Sequence, residues 1–106
     1  MLKKIRKHYD ILKMYWNFVL KRAVCTNPPI RVWIEVTNHC NLNCGFCPSR
    51  RIQKSSRGFM SFEFFKRAVD DLSGFCHDVV FHIGGEPLLH PNLVEMVRYA
   101  NKRNLY

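Results

Sequence analysis

Three cysteines are spaced so that they could bind one metal centre. Cys40, Cys44 and Cys47 lie within eight residues, and such close spacing lets three thiolates converge at little loop-closure cost. Iron–sulfur clusters normally take four cysteine ligands. A loop with three therefore indicates a cluster in which one iron keeps a position for some other ligand.

Zinc is the main alternative to iron and sulfide at this loop. His39, directly before the first cysteine, would complete the three-cysteine, one-histidine set that structural zinc sites use. Adjacent residues in a short loop rarely both reach one tetrahedral metal, which counts against His39. A group of reduced thiols without metal also fits the spacing, so the cluster is favoured and both alternatives stay open.

A second motif, Gly84-Gly85-Glu86-Pro87, comes directly after a β-strand predicted over 78–83. Adjacent glycines let a ligand approach the backbone closely. The cysteine loop begins where another predicted strand, 30–36, ends. Because parallel α/β sheets place their sites at the carboxyl ends of strands, the two motifs are expected on one rim.

The elements around these loops follow from hydrophobic periodicity. An amphipathic helix is predicted over 62–72 with Ser61 as its N-cap, and a second begins at Asn92, where Glu95 has capping-box spacing. Strand–helix–strand–helix predicts right-handed βαβ units with parallel strands, and Leu105-Tyr106 should begin a third strand. The predicted class is α/β: the N-terminal βαβα portion of a partial (β/α) TIM-like barrel, preceded by an amphipathic helix. A complete barrel needs roughly 200 residues, so the chain is expected to be the front portion of something larger.

Hydrophobic periodicity over residues 2–24 predicts the amphipathic helix that precedes the core. Its apolar stripe consists of Leu2, Ile5, Tyr9, Leu12, Trp16, Val19 and Ala23. The stripe favours packing on the following domain, while the basic residues beside it leave open an anionic membrane surface, RNA or a partner helix. Asn27-Pro28-Pro29 should end the helix. We therefore divide the chain into a basic amphipathic helix with linker, 1–29, and an incomplete core, 30–106.

The charge and composition limit the function classes. Net charge is +9, and the first 31 residues carry eight lysines and arginines against Asp10 alone. A nucleic-acid function would therefore rest on this arm alone, and we do not expect nucleic acid as a partner. The sequence contains no uncharged apolar run of about eighteen residues, so we expect no transmembrane helix. Five cysteines, three of them close together, favour a reducing, cytoplasmic compartment over a disulfide scaffold.

Other polar and sulfur-containing residues have less specific assignments. The loop before the first core helix carries Arg50, Arg51, Lys54 and Arg57, which either form a solvated connection or face an anionic substrate or cluster. Glu35 and His82 are expected as hydrogen-bonded interior groups, and His90 as an organiser of the loop before the second helix. Cys25 and Cys76 are expected as ordinary apolar thiols. No general acid or base is assigned.

Together the two motifs resemble the radical S-adenosylmethionine (radical SAM) family, from about residue 30 to the last residue. The resemblance implies a [4Fe–4S] cluster held by Cys40, Cys44 and Cys47, with S-adenosylmethionine (SAM) on the open iron. It also implies a cofactor-binding turn, Gly84, Gly85 and Glu86, that hydrogen-bonds the SAM amino group, with Pro87 fixing the turn. Phe46 would lie beside the adenine.

The implied activity is reductive cleavage of SAM to methionine and a 5′-deoxyadenosyl radical, which abstracts hydrogen from an unknown substrate. The segments 34–41, 58–61 and 86–91 resemble the branch that contains SPASM-type peptide-modifying enzymes and the molybdenum-cofactor-synthesis enzyme. This resemblance suggests that the substrate is a peptide. An electron donor such as a flavodoxin or ferredoxin is implied. The alternatives are an inactive cluster-binding fragment and a small zinc-binding adaptor that contacts nucleic acid.

Overall fold

The described residues form three α-helices and two short β-strands. The computed structural model describes residues 2–106, and all of their side chains except those of Leu2, Lys3, Lys4 and Arg50. The elements in order are α1 (Leu2–Val19), β1 (Arg31–Trp33), α2 (Phe62–Ser73), β2 (Asp78–Val80) and α3 (Leu93–Lys102). Short 3-10 turns lie at Pro48–Arg51, Lys54–Ser56 and Pro87–Leu89.

The two strands pair in parallel, as predicted, with Val32 opposite Val79. Both are shorter than the predicted strands. Beyond Trp33 the chain stays extended but changes partner, because Val36 accepts from the Met60 backbone N–H at 2.8 Å and Thr37 forms an antiparallel bridge with Phe59. The cysteine loop therefore leaves the sheet beside the segment that precedes α2.

Tyr106 pairs with the β2 segment on the edge away from β1. Tyr106 donates its N–H to the His77 carbonyl at 3.1 Å and accepts from the Val79 N–H at 2.9 Å. These are the bonds of a residue in a parallel ladder. Leu105 is buried, and Asn104 has a left-handed conformation, φ 57°. The end of the described chain thus agrees with the predicted βαβα order.

The core lies between the sheet and the two helices α2 and α3. Its buried residues are Ile34, Val36, Phe65, Val69, Cys76, Met96, Ala100 and Leu105. Within the predicted strand 30–36, Ile34 and Val36 are buried while Trp33 is exposed, as expected for side chains that alternate between two faces. The fold is therefore the α/β arrangement that the sequence predicts.

The two core helices begin differently. Ser61 caps α2 as predicted, accepting from the Phe64 N–H at 3.2 Å. The capping box at Asn92 is wrong, because its side chain makes no cap bond. Instead the Asn92 N–H donates to Nδ1 of buried His90 at 3.1 Å. Nε2 of that ring must then carry the proton and donate to the Met60 carbonyl at 3.0 Å, so His90 organises this loop as expected.

Helix α1 departs from the prediction in two ways. It ends at Val19, not at residue 24, because Lys21 takes a left-handed conformation (φ 50°) and the Arg22 N–H bonds back to the Asn17 carbonyl, which closes the helix with a Schellman-type cap. The expected packing of its apolar stripe on the domain is also wrong: the described stripe residues Ile5, Tyr9, Leu12, Trp16, Val19 and Ala23 are exposed. The side chain of Leu2 lies outside the described set. No helix in residues 2–106 is both long and apolar enough to cross a membrane.

Candidate functional site

The cysteine loop follows β1 without regular secondary structure until Pro48. Cys44 is exposed, Cys40 and Cys47 are half-buried, and the Cys47 N–H bonds to the Cys44 carbonyl at 3.2 Å. Among the described side chains, no group of three histidines, cysteines, aspartates or glutamates is placed to hold a metal ion. The fold brings the loop to the rim of the sheet, but it does not bring the three sulfurs to one point.

The Gly-Gly-Glu turn contacts the start of the cysteine loop directly. The Glu86 N–H donates to the His39 carbonyl at 2.8 Å. Gly85 lies so close to the backbone of Thr37 that a Cβ at this position would overlap the Thr37 carbonyl. Only glycine fits this approach. The two motifs therefore share one rim, as the strand order predicts.

Glu35, which follows β1 in the chain, holds the turn through two hydrogen bonds. Its Oε1 accepts from the Gly84 N–H at 2.8 Å and from the Gly85 N–H at 3.1 Å. All three N–H groups of the turn are thus used within the protein. In the described part of the chain, nothing donates to the carbonyl oxygens of Gly84 and Gly85, so the turn offers acceptors that suit a cationic N–H donor.

The other residues singled out by the sequence lie at different places around the turn and the cysteine loop. Pro87 opens the 3-10 turn Pro87–Leu89, and the Glu86 side chain caps it by accepting from the Leu88 N–H at 3.0 Å. Phe46 is 94% exposed and lines a cavity together with Cys47 and Pro48. His82 is also exposed, so its expected interior position is wrong, whereas half-buried Glu35 is hydrogen-bonded as expected.

Cys47 has a polar partner that favours its ionised form. Its Sγ lies 2.8 Å from Oγ of buried Ser49. Hydrogen bonds from the Ser49 side chain and backbone lower the pKa of the Cys47 thiol below its ordinary value. Because metals bind the thiolate, this environment prepares Cys47 for ligation. Cys76 lies in the core, as expected of an apolar thiol, whereas Cys25 is exposed.

Arg57 carries an unsatisfied buried polar atom beside the loop. Its Nε is buried without a hydrogen-bond partner in the described structure, and only a long 3.5 Å bond joins its Nη2 to the Ser49 carbonyl. The side chain lines an open cavity of about 290 Å³ together with Cys40, Asn43 and Ser49. Since an unpaired buried donor is costly, the cavity is suited to an anionic group. The sequence singled out four loop cations without distinguishing this one, and the side chain of Arg50 lies outside the described set.

His39 is engaged by an aromatic neighbour. Its ring stacks on Phe59 with centroids 4.5 Å apart and planes 14° apart, and Phe59 meets His90 edge-on at 5.3 Å. This stack packs the loop against the segment before α2.

Comparison with known proteins gives a consistent family match. The family model described as Radical SAM superfamily matches residues 34–105. The chain is 32% identical over 74 residues to the tungsten-containing aldehyde ferredoxin oxidoreductase cofactor-modifying protein of Pyrococcus furiosus, covering 68% of this chain and 20% of that protein. It is 32% identical over 78 residues to the PqqA peptide cyclase of Rhodopseudomonas palustris, covering 74% and 21%.

A solved structure agrees with the fold. The crystal structure of BtrN in complex with AdoMet and 2-DOIA superposes with a TM-score of 0.66 at 29% identity, covering 74% of this chain and 32% of that one. The chain spans about a fifth of the curated relatives named above. What matches is therefore the portion of those proteins that contains the strand ends described above.

Proposed function

The chain belongs to the radical SAM superfamily, and from this membership we propose that it forms the cluster- and SAM-binding part of an enzyme that cleaves SAM reductively. The family implies SAM and an iron–sulfur cluster as cofactors. The observation that carries the proposal is the hydrogen bond between Glu86 and His39. It joins a three-cysteine loop to a turn with free acceptors, so one pocket can serve both cofactors.

Cys40, Cys44 and Cys47 would hold a [4Fe–4S] cluster through three of its irons. Two features of the site fit such a group. The pKa of Cys47 is already lowered by Ser49, and Arg57, whose buried Nε has no partner in the described structure, lines a cavity next to Cys40. A cluster with thiolate ligands is anionic, so the Arg57 cation would find a partner there.

The turn would orient SAM. The free carbonyl oxygens of Gly84 and Gly85 would accept from its amino group, while Glu35 and His39 hold the turn rigid from the opposite side. Pro87 would fix the turn's exit. Phe46, exposed on the cysteine loop, would cover the adenine. The protein's own contribution is thus orientation and an acceptor-lined wall.

The whole enzyme's reaction follows from the cofactors. When bound, they supply cleavage of SAM to methionine and a 5′-deoxyadenosyl radical, for hydrogen abstraction from a substrate. Similarity to the PqqA peptide cyclase supports a SPASM-like branch and a peptide substrate. A flavodoxin or ferredoxin in the cytoplasm would donate the electron, and residues 1–24 would provide a separate contact surface for a membrane or a partner.

Anaerobic reconstitution tests this proposal. We expect the chain, treated with iron and sulfide, to become brown and bind about four irons. A colourless product that instead binds one zinc ion would support the zinc adaptor and overturn the proposal. Cluster formation with no cleavage of SAM under strong reduction would identify the chain as a cluster-binding fragment without activity of its own.

A further inference from the structure

Helix α1 packs on the domain through its polar side. Among the described side chains, two pairs join α1 to the core: Lys7 Nζ to Asp78 Oδ1 at 2.8 Å and Asp10 Oδ2 to His77 Nε2 at 3.0 Å. A third pair, Asn17 Nδ2 to Asn27 Oδ1 at 2.8 Å, joins it to the linker. Asp10, Asn17 and His77 are buried. Because the pairs hold the helix in one rotational setting, the direction of its apolar side is fixed as well.

The apolar side of α1 faces away from the domain. Ile5, Tyr9, Leu12 and Trp16 recur at helical spacing, and each is more than half exposed. The described core cluster contains no residue of α1. A helix that covers a core shows the opposite arrangement. A contiguous apolar stripe on the outside of a helix marks an interaction surface.

The charge around this stripe has one sign. The first 31 residues hold eight lysines and arginines, and their single acid is Asp10. Asp10 is only 5% exposed, and it is turned inward to His77. Exposed Arg6, Lys21 and Arg22 remain on the outside. The outward surface of this segment therefore offers apolar side chains with cations beside them and no exposed acid, which complements an anionic lipid surface.

We propose that α1 lies in the plane of an anionic membrane surface, with Ile5, Leu12 and Trp16 inserted at the boundary between headgroups and acyl chains. The flanking cations then lie at the level of the lipid phosphates. Tyr9 and Trp16 could stack on bases, but Ile5 and Leu12 could not. A lipid surface suits all four side chains, because aromatic rings favour the interface and aliphatic chains the acyl region, so it fits better than RNA. This proposal is independent of the cluster and SAM.

The attachment also orients the site relative to the membrane. Lys7 and Arg31 both bond Asp78 at 2.8 and 3.3 Å, and Arg31 and Asp78 are the first residues of β1 and β2. Helix α1 therefore sits at the amino ends of the strands. The rim with Cys40 and Gly85 lies beyond their carboxyl ends, so membrane contact would leave the rim accessible.

Vesicle co-sedimentation of the 106-residue chain, without reconstitution, tests the proposal. We expect binding to phosphatidylcholine vesicles that contain about 30% phosphatidylglycerol, and much weaker binding to pure phosphatidylcholine or at high salt. Leu12→Glu should weaken binding at least about tenfold. Arg22→Gln should weaken it about fivefold.

Val94→Glu is the matched control. Val94 on α3 is 56% exposed and Leu12 is 55% exposed, so the two substitutions add the same charge at equally exposed helical positions, and neither should unfold the chain. The control should bind like the wild type. The proposal is overturned if anionic vesicles do not bind the chain, if Leu12→Glu binds as well as Val94→Glu, or if Leu12→Glu instead dissolves a dimer of the chain.

Discussion

The backbone N–H of Glu86 donates to the carbonyl oxygen of His39 at 2.8 Å. This one bond joins the turn after the second strand to the residue before the first cysteine. It places two motifs that are distant in sequence on the same rim of the sheet. The proposed SAM site depends on that proximity, and the predictions below follow from the contacts that maintain it.

Gly85→Ala should separate the turn from the loop. A Cβ at this position would overlap the Thr37 carbonyl, so backbone must shift, at a cost of about 1–3 kcal/mol in the free energy of unfolding. We also expect SAM affinity of the reconstituted chain, measured by calorimetry, to fall at least tenfold, roughly 1.4 kcal/mol. Gly74→Ala, where a Cβ has open space, is the control. Equal SAM affinity in both variants would contradict the proposed turn.

Glu35→Ala should loosen the turn without touching a cysteine. It removes the acceptor of the Gly84 and Gly85 amides, and hydrogen bonds to a charged group contribute about 1.5–3 kcal/mol. Hydrogen exchange of these two amides, followed by NMR, should become faster. Glu35→Gln keeps one carbonyl acceptor and should show a smaller change. Unchanged protection in Glu35→Ala would show that the carboxylate does not hold the turn.

Single cysteine substitutions should separate ligands from bystanders. Replacing Cys40, Cys44 or Cys47 by alanine should abolish stable cluster binding, because each would remove one of three ligands. Cys25→Ala removes an exposed thiol outside the loop and should reconstitute like the wild type. Iron and sulfide content with the visible absorption spectrum provides the measurement. A loop variant that retains the full cluster would exclude that cysteine as a ligand.

Acid should weaken the attachment of α1 through Asp78. Burial of this carboxyl opposes its ionisation, yet hydrogen bonds and charge from Lys7 and Arg31 hold its pKa below the ordinary value. A lowered folded-state pKa contributes stability above the unfolded pKa of about 3.9, and this contribution is lost as the pH falls through the folded pKa. The free energy of unfolding, measured with denaturant, should therefore decrease between neutral pH and about pH 3.

Asp78→Asn is the control for that measurement. It removes the titrating group, so its stability should be lower at neutral pH and should fall less on acidification than that of the wild type. Circular dichroism during denaturation reports both quantities. Identical pH profiles for the two proteins would show that Asp78 does not link protonation to stability.

Local sequence signals predicted the core elements well. Ser61 caps α2 as predicted, since an N-cap depends on neighbours within a few residues. The shared rim was predictable for a different reason, because parallel strands place their carboxyl ends together. The anchoring bonds of Glu35 to the turn were not predicted, although its interior hydrogen-bonded character was.

Features that depend on distant partners could not be predicted. The polar attachment of α1 rests on His77 and Asp78, which no helical periodicity reveals. The predicted capping box at Asn92 is wrong for a local reason, because the ring of His90, two residues earlier, accepts the Asn92 N–H. The sequence does not distinguish Arg57 from the other cations of its loop. The structure does, because its Nε is buried without a hydrogen-bond partner among the described residues.

The most direct test of the central claim is the electron paramagnetic resonance spectrum of the reduced, reconstituted chain before and after addition of SAM. If the cysteine loop and the Gly-Gly-Glu turn form one pocket around an open iron, SAM will change the cluster signal, and Gly85→Ala will suppress that change while keeping the iron content. A cluster signal that SAM leaves unaltered in the wild-type chain would contradict the account.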